Sequence, residues 1–169
     1  MTAKEFEALY DLYARPVARF LAYYTKDVGQ LEDWVQLVFL RLWKYRESVD
    51  LEGAYLKTYL LKTARNVAIR ELEKDKSSLF LYKPDMGEYP STDDEEVSKR
   101  VKDDLVLEKY QNALKEVPFR SQEVYRLSRE EGLTYQEIAD MLQISPRTVE
   151  VHIRKALRIL RQELKEFQH

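Results

Sequence analysis

Two helix-start signals only eleven residues apart leave this chain little freedom between Thr134 and Leu160. Thr134 followed by Glu137 has the spacing of a capping box, in which each side chain satisfies a backbone donor at the other's position. Ser145 followed by Pro146 forms a second start. Its hydroxyl can accept an orphan N–H, and proline suits the first helical position, where no N–H is needed. Ile138, Ala139 and Leu142 give the first of these helices an apolar face ending near Leu142, so only Gln143 and Ile144 precede the next cap. Two helices joined by so short a turn predict helix-turn-helix geometry. Upstream, Ser121 is expected to cap a third helix bearing Val124, Leu127 and Ser128 on one side, with Gly132 placed to close it.

The second helix of the pair, SPRTVEVHIRKALRIL, has two unlike faces. At about 100° per residue, Val149, Ile153, Ala156, Leu157 and Leu160 form one apolar stripe, while Thr148, Val151, His152, Lys155 and Arg158 face the other way. From Pro146 to Arg161 there are five cations (Arg147, Arg154, Lys155, Arg158, Arg161) and one anion, Glu150. One side packs, and the other is free to read DNA. The whole chain, however, carries 28 Lys plus Arg against 30 Asp plus Glu, a net charge of −2. A basic face on a near-neutral body points to specific docking or a partner rather than binding by bulk charge.

Four glycines and five prolines in 169 residues, with apolar periodicity of helical type nearly everywhere, predict an all-α chain. The period fails between Ser77 and Asp104, where Pro84, Gly87 and Pro90 precede the run Asp93, Asp94, Glu95, Glu96. That segment holds four cations and eight anions and is expected to be a flexible acidic linker. Its acidity serves solubility or masks a basic face. Two small helical domains, 1–76 and 105–169, are therefore expected around a linker at 77–104. Cysteine is absent, which excludes disulfides, thiolate metal sites and cysteine nucleophiles. The histidines are His152 and His169, and no catalytic residue, metal or cofactor is expected. No apolar run approaches the roughly 18 residues of a membrane span, and the acidic start (Glu5, Glu7, Asp11) is unlike a signal peptide, so a cytoplasmic protein without membrane insertion is expected.

The N-terminal half carries two further patterns. In LEDWVQLVFLRLWKYRE, Leu31 to Glu47, one helical face is Leu31, Val35, Val38, Phe39 and Leu42. Asp33, Gln36, Leu37, Leu40 and Arg41 fall on the other, so large apolar groups lie where a surface helix should be polar. Such a patch marks a protein-binding face, unless another helix of the domain covers it. A following helix from about Gly53 to Lys74 mixes Tyr55 and Tyr59 with Lys57, Lys62, Arg65, Asn66 and Arg70. Aromatic faces beside cations suit unpaired nucleic acid, although tyrosines at helical spacing also serve as half-buried core.

Taken together, EDWVQLVFLRLW (Glu32 to Trp43), AYLKTYLLKTARNVAI (Ala54 to Ile69) and REEGLTYQEIADMLQISPRTVEVHIRKALRILR (Arg129 to Arg161) resemble the signatures of the extracytoplasmic-function branch of the sigma-70 family. The resemblance covers nearly all of the chain except the linker. It implies a region 2 bundle at 1–76, a region 4 helix-turn-helix at 105–169, and an alternative bacterial sigma factor without catalysis of its own. The implied partners are core RNA polymerase, through the clamp helices of its largest subunit and its flap, promoter DNA, and an anti-sigma factor. Carried onto these positions, polymerase binding falls to Asp33, Gln36, Leu37, Leu40 and Arg41, and the -10 element to Tyr55, Tyr59, Lys62, Arg65 and Asn66. The -35 element falls to Arg147, Thr148, Val151, His152, Arg154, Lys155 and Arg158.

The chain departs from the family where Trp34 replaces a usual leucine and Leu37 a usual acid, which implies a more apolar clamp contact. Arg70 and Glu73 stand where Asp and Arg are frequent, and ELEKDK (Glu71 to Lys76) is half acidic, so family roles are not carried past Arg70. The stretch LTYQEIADMLQISPRTVEVHI also resembles the helix-turn-helix of LuxR-type regulators. Those bring a receiver or ligand domain, for which the N-terminal half lacks an alternating strand pattern. An enzyme such as a nuclease is disfavoured because no His, Cys or Gly-rich loop converges with the scattered carboxylates.

Overall fold

The computed structural model describes residues 1–49, 54–74 and 100–165, and the regular elements among them are all α-helices. The chain divides into two compact units, Met1–Pro90 and Ser91–His169. The expected linker lies outside the described residues as far as 99. From Arg100 the chain is already helical, five residues before the expected second domain at 105.

The first unit packs α1 (Ala3–Leu21), α2 (Val28–Lys44) and α3 (Ala54–Lys74), each against both others. A Thr2–Glu5 capping box starts α1: the Glu5 N–H donates to Thr2 Oγ1 at 3.1 Å and the Thr2 N–H to Glu5 Oε2 at 2.8 Å. α2 begins a turn earlier than the apolar period predicts. Asp27 Oδ1 accepts the Gln30 N–H at 3.2 Å, and Thr25 Oγ1 holds the Asp27 N–H at 3.1 Å. α2 also ends at Lys44, short of the expected Glu47. The core is Val17, Phe20, Leu21, Val38, Leu42, Leu60, Leu61, Ala64 and Val67. Trp34 joins it at 2 % exposure, so this departure from the family pattern fills the core and adds nothing apolar to a docking face. Phe6 and Tyr10 of α1 meet Trp43 and Phe39 of α2 edge to face, at 5.1 and 4.8 Å between centroids, an arrangement the ring quadrupoles favour.

The second unit comprises α4 (Arg100–Lys115), α5 (Phe119–Arg129), α6 (Tyr135–Leu142) and α7 (Pro146–Glu163). Leu114, Val124, Leu127, Ile138, Val149, Ile153, Ala156 and Leu160 are its buried centre, and Leu157 is only half-buried. α5 does not start at Ser121. Its N-cap is Pro118, which offers no side-chain cap, and Ser121 sits inside the first turn, buried. The Gln122 side chain donates instead to the Leu114 carbonyl at the end of α4, tying the two helices. At the other end Gly132 adopts φ +72°, which lets the Leu133 N–H reach the Leu127 carbonyl at 3.0 Å. Nearby, Arg126 pairs with Glu130 at 3.1 Å, and Tyr110 of α4 donates to Glu130. Burial, the hydrogen bond with Tyr125 and the charge of Glu130 all push the Tyr110 phenol upward, so it remains protonated.

The tight turn between α6 and α7 is made by Gln143 in the left-handed region, φ 56°, ψ 49°, and the Ile144 N–H closes it on the Ala139 carbonyl at 3.0 Å. A side chain with a Cβ is strained there by about 1 to 2 kcal/mol, whereas glycine is not. Gln143 is exposed, so Gln143→Gly should stabilise the second unit by about 0.5 to 1 kcal/mol and Gln143→Val should destabilise it, as measured by urea unfolding.

Candidate nucleic-acid and docking surfaces

On α7 the stripe Val149, Ile153, Ala156 and Leu160 is buried, which turns Arg147, Val151, Arg154, Lys155 and Arg158 to solvent. Val151 is 54 % exposed although it is β-branched and apolar. An unburied Val flanked by cations fits a surface that meets base edges, where a thymine methyl is an apolar contact. Arg154 forms an i,i+4 ion pair with Glu150, and the other exposed cations of the helix are Arg147, Lys155, Arg158 and Arg161. Two residues expected on this face are engaged otherwise. Thr148 is half-buried in the helix cap: its N–H donates to Ser145 Oγ at 3.1 Å, and the two hydroxyls are 2.9 Å apart. His152 is half-buried, with Nδ1 hydrogen-bonded to the hydroxyl of buried Ser121 at 2.8 Å.

On α2 the division of faces follows the sequence pattern. Leu31, Val35, Val38, Phe39 and Leu42 are buried; Asp33, Gln36, Leu37 and Leu40 are exposed, with Arg41 half-buried beside them. Leu40 is 62 % exposed, so no other described helix of this unit covers it. A leucine kept in water at the centre of a polar-rimmed patch contributes nothing to the core and is suited to burial against another protein.

On α3 the expected residues split by exposure. Tyr55 (75 % exposed), Lys62 and Asn66 are open, whereas Tyr59 and Arg65 are half-buried. Tyr55 and Tyr59 line a cavity of about 570 Å³ together with Tyr45, Ser48 and Val49 from the turn after α2. Sequence reasoning missed those three because it continued α2 through Glu47, where the chain in fact turns. Arg46 marks the turn, stacking on Trp43 at 4.0 Å and donating from Nη1 to the Trp43 carbonyl at 2.7 Å. Three tyrosine rings around a hollow large enough for a planar heterocycle, with a hydroxyl at Ser48, can stack an unpaired base and hydrogen-bond its edge. Among the described residues no group of His, Cys, Asp and Glu could hold a metal, and no helix is long and apolar enough to cross a membrane.

Comparison with known proteins covers both units. Residues 9–78 match the family model of Sigma-70 region 2, and residues 107–160 match that of Sigma-70, region 4. The extracytoplasmic-function (ECF) RNA polymerase sigma factor SigL of Mycobacterium tuberculosis is 28 % identical over 159 residues, spanning 94 % of this chain and 88 % of that protein. SigX of Bacillus subtilis, likewise an ECF RNA polymerase sigma factor, is 28 % identical over 166 residues, 94 % of this chain and 83 % of that protein. The fold is that of the sigma factor RpoE of Bartonella quintana, solved in complex with the anti-sigma factor NepR, with TM-score 0.70, 19 % identity, and 96 % and 98 % of the two chains covered. CnrH, solved with the cytosolic domain of CnrY, gives TM-score 0.63 at 19 % identity over 98 % and 90 %. A LuxR-type regulator would account for the helix-turn-helix but not for the region 2 match.

Burial, and then the charges of Arg120 and Lys155, lower the His152 pKa below its ordinary value near 6.5. The folded chain therefore takes up the proton less readily than the unfolded one, and the stability this group contributes is present above pH 6.5 and lost as pH falls through the folded value. Acidification from pH 7.5 to 5 should destabilise the second unit, and His152→Asn should flatten that part of the profile, read as melting temperature against pH.

Proposed function

The chain belongs to the extracytoplasmic-function branch of the sigma-70 family and directs transcription initiation, and on that premise we propose how its surfaces divide the work. The outward face of α2, with Leu37 and Leu40 rimmed by Asp33, Gln36 and Arg41, docks on the clamp helices of core RNA polymerase. The open side of α3, with Tyr55, Lys62 and Asn66, and the half-buried Tyr59 and Arg65 take the -10 element. The tyrosine cavity receives one unpaired base of it. Arg147, Val151, Arg154, Lys155 and Arg158 of α7 meet the -35 element in the major groove, and the second unit also contacts the polymerase flap. The functional domains run over 1–76 and 105–169, with 77–104 between them. The work is cytoplasmic and non-enzymatic, and an anti-sigma factor holds the chain inactive, by analogy with RpoE of Bartonella quintana, which was solved bound to the anti-sigma factor NepR.

One observation carries most of this: Leu40 is left in water on a helix whose opposite face is completely buried, a pattern that a self-sufficient bundle has no use for. The direct test is to reconstitute the chain with core polymerase and map transcript starts across the genome. A shared pair of upstream elements is expected, and starts without one would refute the assignment. In the same assay Leu40→Asp should reduce polymerase affinity by about 2 to 5 kcal/mol, because the carboxylate is desolvated unpaired, while the melting temperature of the free chain stays unchanged. A parallel fall in melting would make Leu40 a core residue.

Tyr55→Ala should leave polymerase binding intact and weaken open-complex formation by about 1 to 3 kcal/mol, the worth of one base–aromatic stack. Permanganate footprinting on duplex and pre-melted promoters measures it. Equal loss on both, together with weaker polymerase binding, would assign Tyr55 to docking instead.

A further inference from the structure

We propose that Ser121 and His152 form a positioning pair that fixes the rotation of α7 on α5, and thereby aims Val151 and Lys155, so that His152 shapes promoter selection without touching a base. The proposal rests on the assignment of α7 to the -35 element. Ser121 is 1 % exposed in the first turn of α5 and is separated by 31 residues from His152, yet its hydroxyl lies 2.8 Å from Nδ1. His152 stands at the border of the two faces of α7, between buried Val149 and Ile153 on one side and exposed Val151 and Lys155 on the other.

The buried residues of α7, Val149, Ile153, Ala156 and Leu160, are all apolar. Apolar contact is non-directional, and ridge-into-groove packing of helices scatters by about 15 to 20°. A hydrogen bond between side chains on two helices is directional, and this one lies within one turn of the outward residues. Rotation of a helix of about 5 to 6 Å surface radius by 10 to 20° carries an outer side chain about 1 to 2 Å sideways. Hydrogen bonds to base edges hold only between about 2.7 and 3.2 Å, so such a displacement costs base discrimination. Long flexible arginines on phosphates follow the same displacement without loss. Losing the pair should therefore relax specificity more than it lowers occupancy.

The imidazole suits this role. With its pKa lowered it is neutral at physiological pH, so it brings no charge to the phosphate field. In the tautomer protonated at Nε2 the Ser121 hydroxyl donates to Nδ1, and in the other Nδ1–H donates to Oγ, so either tautomer completes the pair.

The two ring nitrogens supply the test. Asparagine places its amide oxygen near the position of Nδ1, whereas glutamine reaches toward that of Nε2. The full-length chain, with core polymerase, is assayed on a promoter library randomised at the upstream element, and the melting temperature of each variant is measured alongside. His152→Asn should keep the wild-type ranking, while His152→Gln and Ser121→Ala each lower the ratio of best to mismatched promoters about threefold to tenfold, the scale of one hydrogen bond. The double variant Ser121→Ala, His152→Ala should lose no more than His152→Ala alone, the signature of two residues acting as one.

Retention by His152→Gln, loss by His152→Asn and no effect of Ser121→Ala would make His152 a direct base reader and overturn the proposal, while leaving the -35 assignment standing. Loss on all promoters alike in proportion to the fall in melting would overturn it too, reducing the bond to a stabilising one. A wild-type holoenzyme indifferent to the upstream sequence would overturn both the proposal and the -35 assignment.

Discussion

The burial of one stripe of α7 against the rest of its unit is the constraint on which the second half of this molecule depends. Val149, Ile153, Ala156 and Leu160 are each at most 4 % exposed, and a helix held by one stripe must present the opposite one. The same condition governs α2, where burying Leu31, Trp34, Val35, Val38, Phe39 and Leu42 commits Leu37 and Leu40 to the outside. Units this small have little interior relative to surface, so large apolar groups are needed inside. Those left in water are then informative. Leu40, Tyr55 and Val151, each more than half exposed, fall on the three faces proposed to meet polymerase, melted DNA and duplex DNA.

What the sequence made legible was whatever repeats at helical spacing or sits at a cap. The Thr134–Glu137 box, the Ser145 cap and the buried stripes of α2 and, apart from half-buried Leu157, of α7 follow from local pattern, because helical geometry fixes which side chains share a face; whether another helix covers Leu37 and Leu40 did not. The start of α2 escaped notice because Val28 is exposed and Gly29 interrupts the apolar period, while the signal that matters is the Thr25–Asp27–Gln30 cap. Ser121 illustrates the opposite error. Three residues into α5 it has the chemistry of a cap, but Pro118 already starts the helix and the hydroxyl is used across the fold.

The site was less legible than the fold for the same physical reason. Tyr45, Ser48 and Val49 reach Tyr55 and Tyr59 only because the chain turns after Lys44, and nothing periodic announces that turn. The pairing of His152 with Ser121 is a contact between distant segments, invisible to any window along the chain. Trp34 was expected to make the docking face more apolar and lies instead in the core, since a large aromatic at a helical face boundary is decided by the volume available inside.

Charge and apolar surface complement each other in this division of labour. The exposed cations of α7 number four once Arg154 is set aside with Glu150: Arg147, Lys155, Arg158 and Arg161. If each neutralises one phosphate, the logarithm of affinity falls with that of salt concentration with a slope of about −3 to −4, at about 0.9 per phosphate. Contacts so few and so salt-sensitive bind duplex DNA weakly on their own, and the net charge of −2 adds no general attraction. The α2 face is instead apolar at its centre, and apolar burial is little affected by salt. On the proposed assignment, polymerase supplies the salt-insensitive anchor and raises the effective concentration of α7 at the promoter. A few base contacts worth about 1 to 3 kcal/mol each then decide where the assembly stays, without enough charge to hold it everywhere else.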